Sequence, residues 1–359
     1  MSDPAKPDDV CLVAFGARTP LGLSVLPAAA AIRAGIAAFG EHPYMTDKFG
    51  KPMIVARDPG IGEEIEGPDR LWSLLYAALS EAAAALEGKI RPNTPIPMIL
   101  ALPPAPQGTD GGLAKFLTNL LVRDGPAPLK PASVGTFQAG HGGGLLALDD
   151  AVRRLRSGAC ELCLVAGVDS YMDPGTLEDL DESDQLKCEK RPWGFIPGEA
   201  AGVIVVSLRR AAEKMGLDVL GTVTGIGVAR EESLIHTDKV CLGRGLTEAM
   251  KQALRPLESS GEKVDHTYCD FNGQPYRSHE FGYSVTRVTR QFVNSTDFST
   301  PADCWGDVRA ATGPLLLMLA AVAGRKGYAR GPRILVWSSS DGGERAAALV
   351  RIPVVSQEA

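Results

Sequence analysis

Two segments of this chain are apolar on most faces of a helix and begin and end near glycine, one in each half of the sequence. Gly144-Leu145-Leu146-Ala147-Leu148 opens the first, which ends near Gly158 and precedes the strand-like run Leu162-Cys163-Leu164-Val165-Ala166. Gly313-Pro314-Leu315-Leu316-Leu317-Met318 opens the second, which ends near Gly327 and precedes Ile334-Leu335-Val336-Trp337. A helix with little polar surface must be covered on all sides. Two such helices, each followed by a strand and a Gly-rich turn, predict a duplicated fold with a central helical layer between sheets. The two halves are read as residues 1–215 and 216–359, divided after the basic helix Arg209 to Lys214.

The remaining pattern alternates strand and helix, which argues for α/β layers and a largely parallel or mixed sheet. Met98 to Leu102 and Ala200 to Leu208 read as strands, Cys11 to Phe15 is a short apolar run ended by Gly16, and Val219 to Val228 opens a further stretch. Leu23 to Ala38, interrupted by Pro27, and Leu71 to Leu86 read as helices, the latter with Leu71, Leu74, Leu75, Leu79, Ala82 and Leu86 on one face. A chain of 359 residues is about two domains' worth.

A net charge of −6 gives no basic excess, so no nucleic-acid partner is expected. No segment reaches the eighteen or so uncharged apolar residues of a membrane span. The N-terminal stretch Met1 to Lys6 is polar and lacks a signal-peptide core. Seven scattered cysteines suit reduced thiols, so a cytoplasmic protein is expected. Cys160-Glu161-Leu162-Cys163 has metal or redox spacing but no second pair, and His236, His266 and His279 suggest no ligand set. Neither a metal nor a cofactor is expected.

The most informative stretch is Phe137-Gln138-Ala139-Gly140-His141-Gly142-Gly143-Gly144. Glycines at a strand-to-helix turn let the backbone bend sharply and approach a ligand closely. The helix N-terminus offers unpaired N–H groups to an anion and disfavours an imidazolium, so His141 is expected to be neutral. A lipase-type oxyanion loop would need a G-x-S-x-G elbow, which the sequence lacks. The glycines also miss G-x-G-x-x-G spacing.

Four segments, in order, resemble the β-ketoacyl synthases, condensing enzymes of the thiolase superfamily. They are Arg18-Thr19-Pro20-Leu21-Gly22; residues 138–170, with Arg156-Ser157-Gly158 and Ala166-Gly167-Val168-Asp169; residues 191–202, with Gly198-Glu199-Ala200-Ala201-Gly202; and residues 306–313. The resemblance covers nearly the whole chain. It implies a thiolase-like duplicated α-β-α-β-α five-layer fold. It also implies a homodimer, or a heterodimer with a related subunit, and an acyl carrier protein or coenzyme A thioester as partner.

Carried over position by position, the resemblance puts His141 where the family has its nucleophilic cysteine. Asn272 and Asp307 fall where it has its two histidines, and Ala302 where it has a lysine. Without a thiolate at the turn no thioester can be stored, so cysteine-dependent condensation is not expected. Gly142, Gly143, Ser340, Gly342 and Gly343 are the expected substrate-binding positions. Cys269 and Cys304 lie near the two replaced histidines in sequence.

Two readings stand. In one, acyl or malonyl thioesters are handled in a pocket at His141, which acts as a base supported by Asp307 and Asn272. In the other, the chain is a pseudoenzyme, a non-catalytic binding or assembly subunit for a protein partner. An open tunnel to His141 favours the first and a filled one the second. Asp307 also reads as the N-cap of a helix beginning near Val308, and Asn272 as a turn residue before Gly273. Tyr276 to Glu280 reads as a polar loop at the pocket entrance or in solvent, and Glu178 to Asp184 as a solvated surface. His141→Ala is expected to leave folding intact.

Overall fold

The computed structural model describes residues 6–91, 94–105, 111–235 and 237–354. His236 and all but the last residue of the stretch 1–6 lie outside the described residues. In chain order the strands are β1 (Val10–Arg18), β2 (Gly40–Thr46), β3 (Pro52–Val55), β4 (Ile96–Ala101), β5 (Pro131–Phe137), β6 (Leu162–Ser170), β7 (Glu199–Leu208), β8 (Gly221–Arg230), β9 (His266–Cys269), β10 (Phe298–Ser299), β11 (Arg333–Ser339) and β12 (Glu344–Arg351). The helices are α1 (Val25–Arg33), α2 (Gly67–Ala84), α3 (Gly112–Asp124), α4 (Gly143–Arg156), α5 (Pro174–Glu182), α6 (Arg209–Lys214), α7 (Arg244–Ser260), α8 (Pro275–Val288), α9 (Ala302–Trp305) and α10 (Thr312–Arg325).

The duplication is written in the strand order. Ten strands run β10-β9-β11-β12-β8-β1-β7-β6-β4-β5, with β2 and β3 forming a separate hairpin. If each half is numbered from its own first main-sheet strand, both read third, second, fourth, fifth, first. The pairing senses repeat as well. β4 is parallel to β5 and β6, while β7 is antiparallel to β6 and β1. β9 is parallel to β10 and β11, while β12 is antiparallel to β11 and β8. The halves join where Val10, Cys11 and Leu12 of β1 pair with Val223, Thr222 and Gly221 of β8.

Side-chain alternation sorts the strands into layers. On β6, Cys163 and Val165 face a cluster shared with α4 and α10, while Leu162, Leu164 and Ala166 face α2 and α3. On β11, Ile334 and Val336 face that same central cluster, while Leu335 and Trp337 face α7 and α8. The stack is therefore helices, sheet, helices, sheet, helices. Strands buried on both faces have no polar side to show, which is why β7 reads as a continuous apolar run.

The two apolar helices form the central layer as their composition requires. Every residue of α10 from Thr312 to Gly324 is buried. A Cβ on Gly144 would come within 2.4 Å of Pro314 Cδ, and one on Gly313 within 3.0 Å of the Leu145 nitrogen. Each repeat begins with glycine because its first turn is pressed against the other helix. The early helix is shorter than its Ala-rich composition suggests. Pro27 is tolerated inside its first turn, and Gly35, at φ +66°, ends it. Among the described residues no helix is long and apolar enough to cross a membrane.

Candidate functional site

The carboxyl ends of parallel strands β5, β6, β9 and β11 and the N-termini of α4 and α10 converge on one buried point. In open α/β sheets this is the end at which ligands bind. Gly140, at φ +62°, turns the chain out of β5 into a 3-10 turn, Gly140–Gly142, that carries His141. His141 is 2% exposed. Its Nε2 lies 2.9 Å from both carboxylate oxygens of Asp307, to which it donates. Asn272 Nδ2 donates to Asp307 Oδ2 at 2.6 Å, and the Arg309 backbone N–H to Oδ1 at 2.9 Å. The three positions named from the sequence, His141, Asn272 and Asp307, thus meet.

A fourth group, which the sequence does not announce, holds them. Arg277 Nη2 lies 3.3 Å from Nδ1 and 3.2 Å from Nε2 of His141. An atom nearly equidistant from both nitrogens cannot lie in the ring plane without striking the carbon between them, so the guanidinium sits over the ring face. Arg277 Nη1 donates to Asp270 Oδ2 at 2.8 Å and to the Ser339 carbonyl, and Nη2 reaches Asp341 Oδ1 at 3.1 Å. On the other flank Arg309 lies 3.0 Å from Asp169 Oδ1, with its guanidinium 3.8 Å from the Tyr171 ring centre. Burial raises the Asp307 carboxyl, but His141, by charge and hydrogen bond, then Arg277 and the Asn272 amide hold it well below the usual carboxylate range. Burial prevails at Asp270 and Asp169, whose carboxyls are pushed up despite their arginines.

The site is closed. The void lined by His141, Cys269, Asp270 and Asp307 measures about 10 Å³, the scale of a single water. A groove of about 490 Å³ opens at the surface beside Trp193, Lys190, Tyr276 and Gln274. From its wall inward, Gln274 Oε1 accepts from Asn272 and Arg277, and those two reach Asp307 and His141. Burial pushes up the thiols of Cys269 and Cys304, so neither stands ready as a thiolate.

The model of the β-ketoacyl synthase N-terminal domain matches residues 133–212, the stretch that carries most of β5, His141, α4, β6 and β7. The actinorhodin polyketide putative beta-ketoacyl synthase 2 of Streptomyces coelicolor is 28% identical over 203 residues, covering 53% of this chain. The chain spans about half that relative's length, 48%. A type II polyketide synthase acyl-carrier protein in complex with its ketosynthase gives a TM-score of 0.75 at 14% identity, covering 97% of this chain and 100% of that one. The ishigamide ketosynthase/chain length factor gives 0.69 at 19% identity, covering 96% and 99%.

Residues 133–212 are β-ketoacyl synthase-like, and the fold of the chain is that of the ketosynthases.

Several expectations for this synthase-like chain are corrected by the structure. The Gly142 N–H, expected to face a ligand, donates to Ser340 Oγ at 2.8 Å. Gly143 begins α4, where a Cβ would meet Ala101 at 3.1 Å. Gly342 and Gly343 form the β11–β12 hairpin turn, with the Gly343 N–H bonded back to the Ser340 carbonyl at 3.1 Å. These substrate-binding candidates therefore spend their polar groups on one another and on the turn. Asp307 does not cap a helix at Val308. A 3-10 turn, Arg309–Ala311, comes first, and α10 starts at Thr312. Asn272 is both turn residue and site residue, since its Oδ1 accepts from the Gln274 N–H at 3.1 Å.

Tyr276 to Glu280 is the first stretch of α8, and it buries Arg277 and Glu280 completely or nearly so. Of the acidic segment 178–184, Asp181 is buried, paired with Arg191 and the Lys48 N–H. Among the described residues Glu231, Cys241 and Glu280 place potential metal-ligand atoms together. Glu231 already accepts three backbone N–H groups, and Glu280 already takes the Arg345 guanidinium. Those bonds leave the cluster poorly suited to a cation.

With His141 buried against Asp307, His141→Ala is expected to weaken folding after all. It removes a buried hydrogen bond to a buried carboxylate, so the unfolding free energy falls by about 1–3 kcal/mol. Urea titration of the variant against wild type measures it.

Proposed function

We propose that this chain is a non-catalytic ketosynthase-like subunit that acts by pairing with a related, cysteine-bearing ketosynthase. The observation that carries the reading is the closure of the site. At the position the resemblance assigns to the nucleophile stands an imidazole, bonded to Asp307 and covered by Arg277, beside a void of about 10 Å³. An acyl chain has no room there, and a buried polar network is costly to open because its paired members would be left unpaired. The fold likeness to a ketosynthase/chain length factor supports pairing with a related subunit. The surface groove outside Gln274 fits a role in receiving an acyl carrier protein shared with the partner subunit.

The His141–Asp307 bond also matches a base for thioester hydrolysis or decarboxylation, which is the competing reading. Intact-mass spectrometry after incubation with malonyl- and acyl-thioesters of coenzyme A and of an acyl carrier protein separates the two. We expect no adduct and no turnover above the rate of His141→Ala. We also expect a one-to-one complex in light scattering once a cysteine-bearing ketosynthase from the same source is added. Turnover that vanishes in His141→Ala would overturn the proposal.

A further inference from the structure

The amino end of β9 carries a constellation that the ketosynthase-like reading does not use. His266 opens β9, and Ser299 lies on the neighbouring strand β10, which runs parallel to it with Ser299 opposite Tyr268. The Ser299 Oγ is 2.9 Å from His266 Nε2. On the other side of the ring, Nδ1 faces Asp297 Oδ1 at 3.6 Å and has no hydrogen-bond partner among the described residues, although His266 is only 5% exposed. A buried ring nitrogen without a partner is costly. A proton on Nδ1, held toward the carboxylate, meets that cost and leaves the Nε2 lone pair to accept from the serine hydroxyl. Arg330 pairs with Asp297 and anchors the carboxylate.

We infer that Ser299, His266 and Asp297 are nucleophile, general base and orienting carboxylate of a second site that hydrolyses small esters or thioesters. The three roles follow from the order of contacts and not from sequence spacing. The orienting contact is longer than a hydrogen bond, as such contacts commonly are before substrate binds. Burial holds His266 below the usual imidazole range, with Arg330 acting the same way and Asp297 against it, so the ring is a neutral acceptor near pH 7. Space is present as well: His266 and Ser299 line a pocket of about 390 Å³ whose apolar side includes Tyr268, Leu319 and Ile334. Arg33 and Arg330 stand at its exposed rim, Arg33 with its guanidinium 4.3 Å from the Tyr328 ring centre. An apolar floor under a cationic rim suits a short acyl group whose carbonyl oxygen becomes an anion.

In the step proposed, the Ser299 Oγ bonds to the substrate carbonyl carbon, and its proton moves to His266 Nε2. The carbonyl electron pair becomes an oxyanion and then reforms the double bond, breaking the C–O or C–S bond. The leaving alcohol or thiol takes the proton from Nε2. Water then attacks the acyl-serine, giving its proton to Nε2, and the carboxylic acid departs as Ser299 regains a proton. The site lies at the amino end of β9 and the His141 network beyond its carboxyl end, and the two share no side chain among Ser299, His266 and Asp297, so its fate does not depend on that reading.

The test is covalent labelling of the full chain with a fluorophosphonate, followed by intact mass and peptide mapping. We expect one adduct per chain, on Ser299. It is absent in Ser299→Ala, and in His266→Gln it forms at least about 100-fold more slowly. Asp297→Asn, a change to the positioning residue, slows labelling while leaving the modified residue the same. Hydrolysis of p-nitrophenyl acetate falls in parallel. The position of the adduct in wild type decides the matter without any variant. No adduct on Ser299, or labelling at a rate that His266→Gln does not change, would overturn the inference.

Discussion

Arg277→Ala is expected to lower the unfolding free energy by about 3–5 kcal/mol. The guanidinium is the shared positive partner of Asp270 and Asp341, bonds the Ser339 carbonyl and lies over His141. Its loss leaves Asp270, 4% exposed, as a buried carboxylate with no cation beside it and one oxygen already without a partner. The penalty comes from stranding that charge more than from losing the attraction, because a buried pair itself gains little over an apolar pair of similar volume. Arg277→Met combined with Asp270→Leu is therefore expected to recover most of the loss. Urea titrations of the two variants and wild type measure both effects. A single-variant loss below about 1 kcal/mol would mean that water reaches the network.

Gly167→Val is expected to cost roughly 3 kcal/mol or more. A Cβ at Gly167 would stand 2.0 Å from the Ala310 carbonyl oxygen and 2.8 Å from its carbon. These are backbone atoms of the 3-10 turn that leads into α10, and that helix is packed on every side. Unlike a flexible side chain, they cannot move aside without tilting the central layer. The neighbouring Ala310 N–H is also tied to Asp169 Oδ2 at 3.3 Å. The contrast is Gly282 on α8, where an added Cβ meets nothing within 4 Å. There Gly282→Ala should stabilise by up to about 1 kcal/mol through helix propensity. Thermal and urea unfolding of both variants gives the two signs.

The central helices are legible in the amino-acid sequence because the signal is local. Continuous apolar sequence between glycines has one physical solution, burial on all sides, and α10 adopts it. The meeting of His141, Asn272 and Asp307 is legible only through family resemblance, since their separations of 35 and 166 residues carry no periodic signal. Arg277 is not legible at all. In sequence, Tyr276-Arg277-Ser278-His279-Glu280 is as polar as a solvated loop. What buries its arginine is a set of partners at separations of 62, 64 and 136 residues. The same holds for Ser299 and His266, 33 residues apart and joined by the register of two parallel strands.

What the amino-acid sequence by itself determined was the layering: which helices lie inside, where the strands alternate, and that the chain is built twice. Backbone propensity and apolar periodicity act within a few turns, so these features can be read from local sequence. Only the tertiary structure decided that the turn before α4 is sealed, with its free N–H taken by Ser340 and its imidazole held between Asp307 and Arg277. A charge is stable in an interior only with its partner beside it. Which partner that is depends on how five distant segments are brought to the same ends of the two half-sheets.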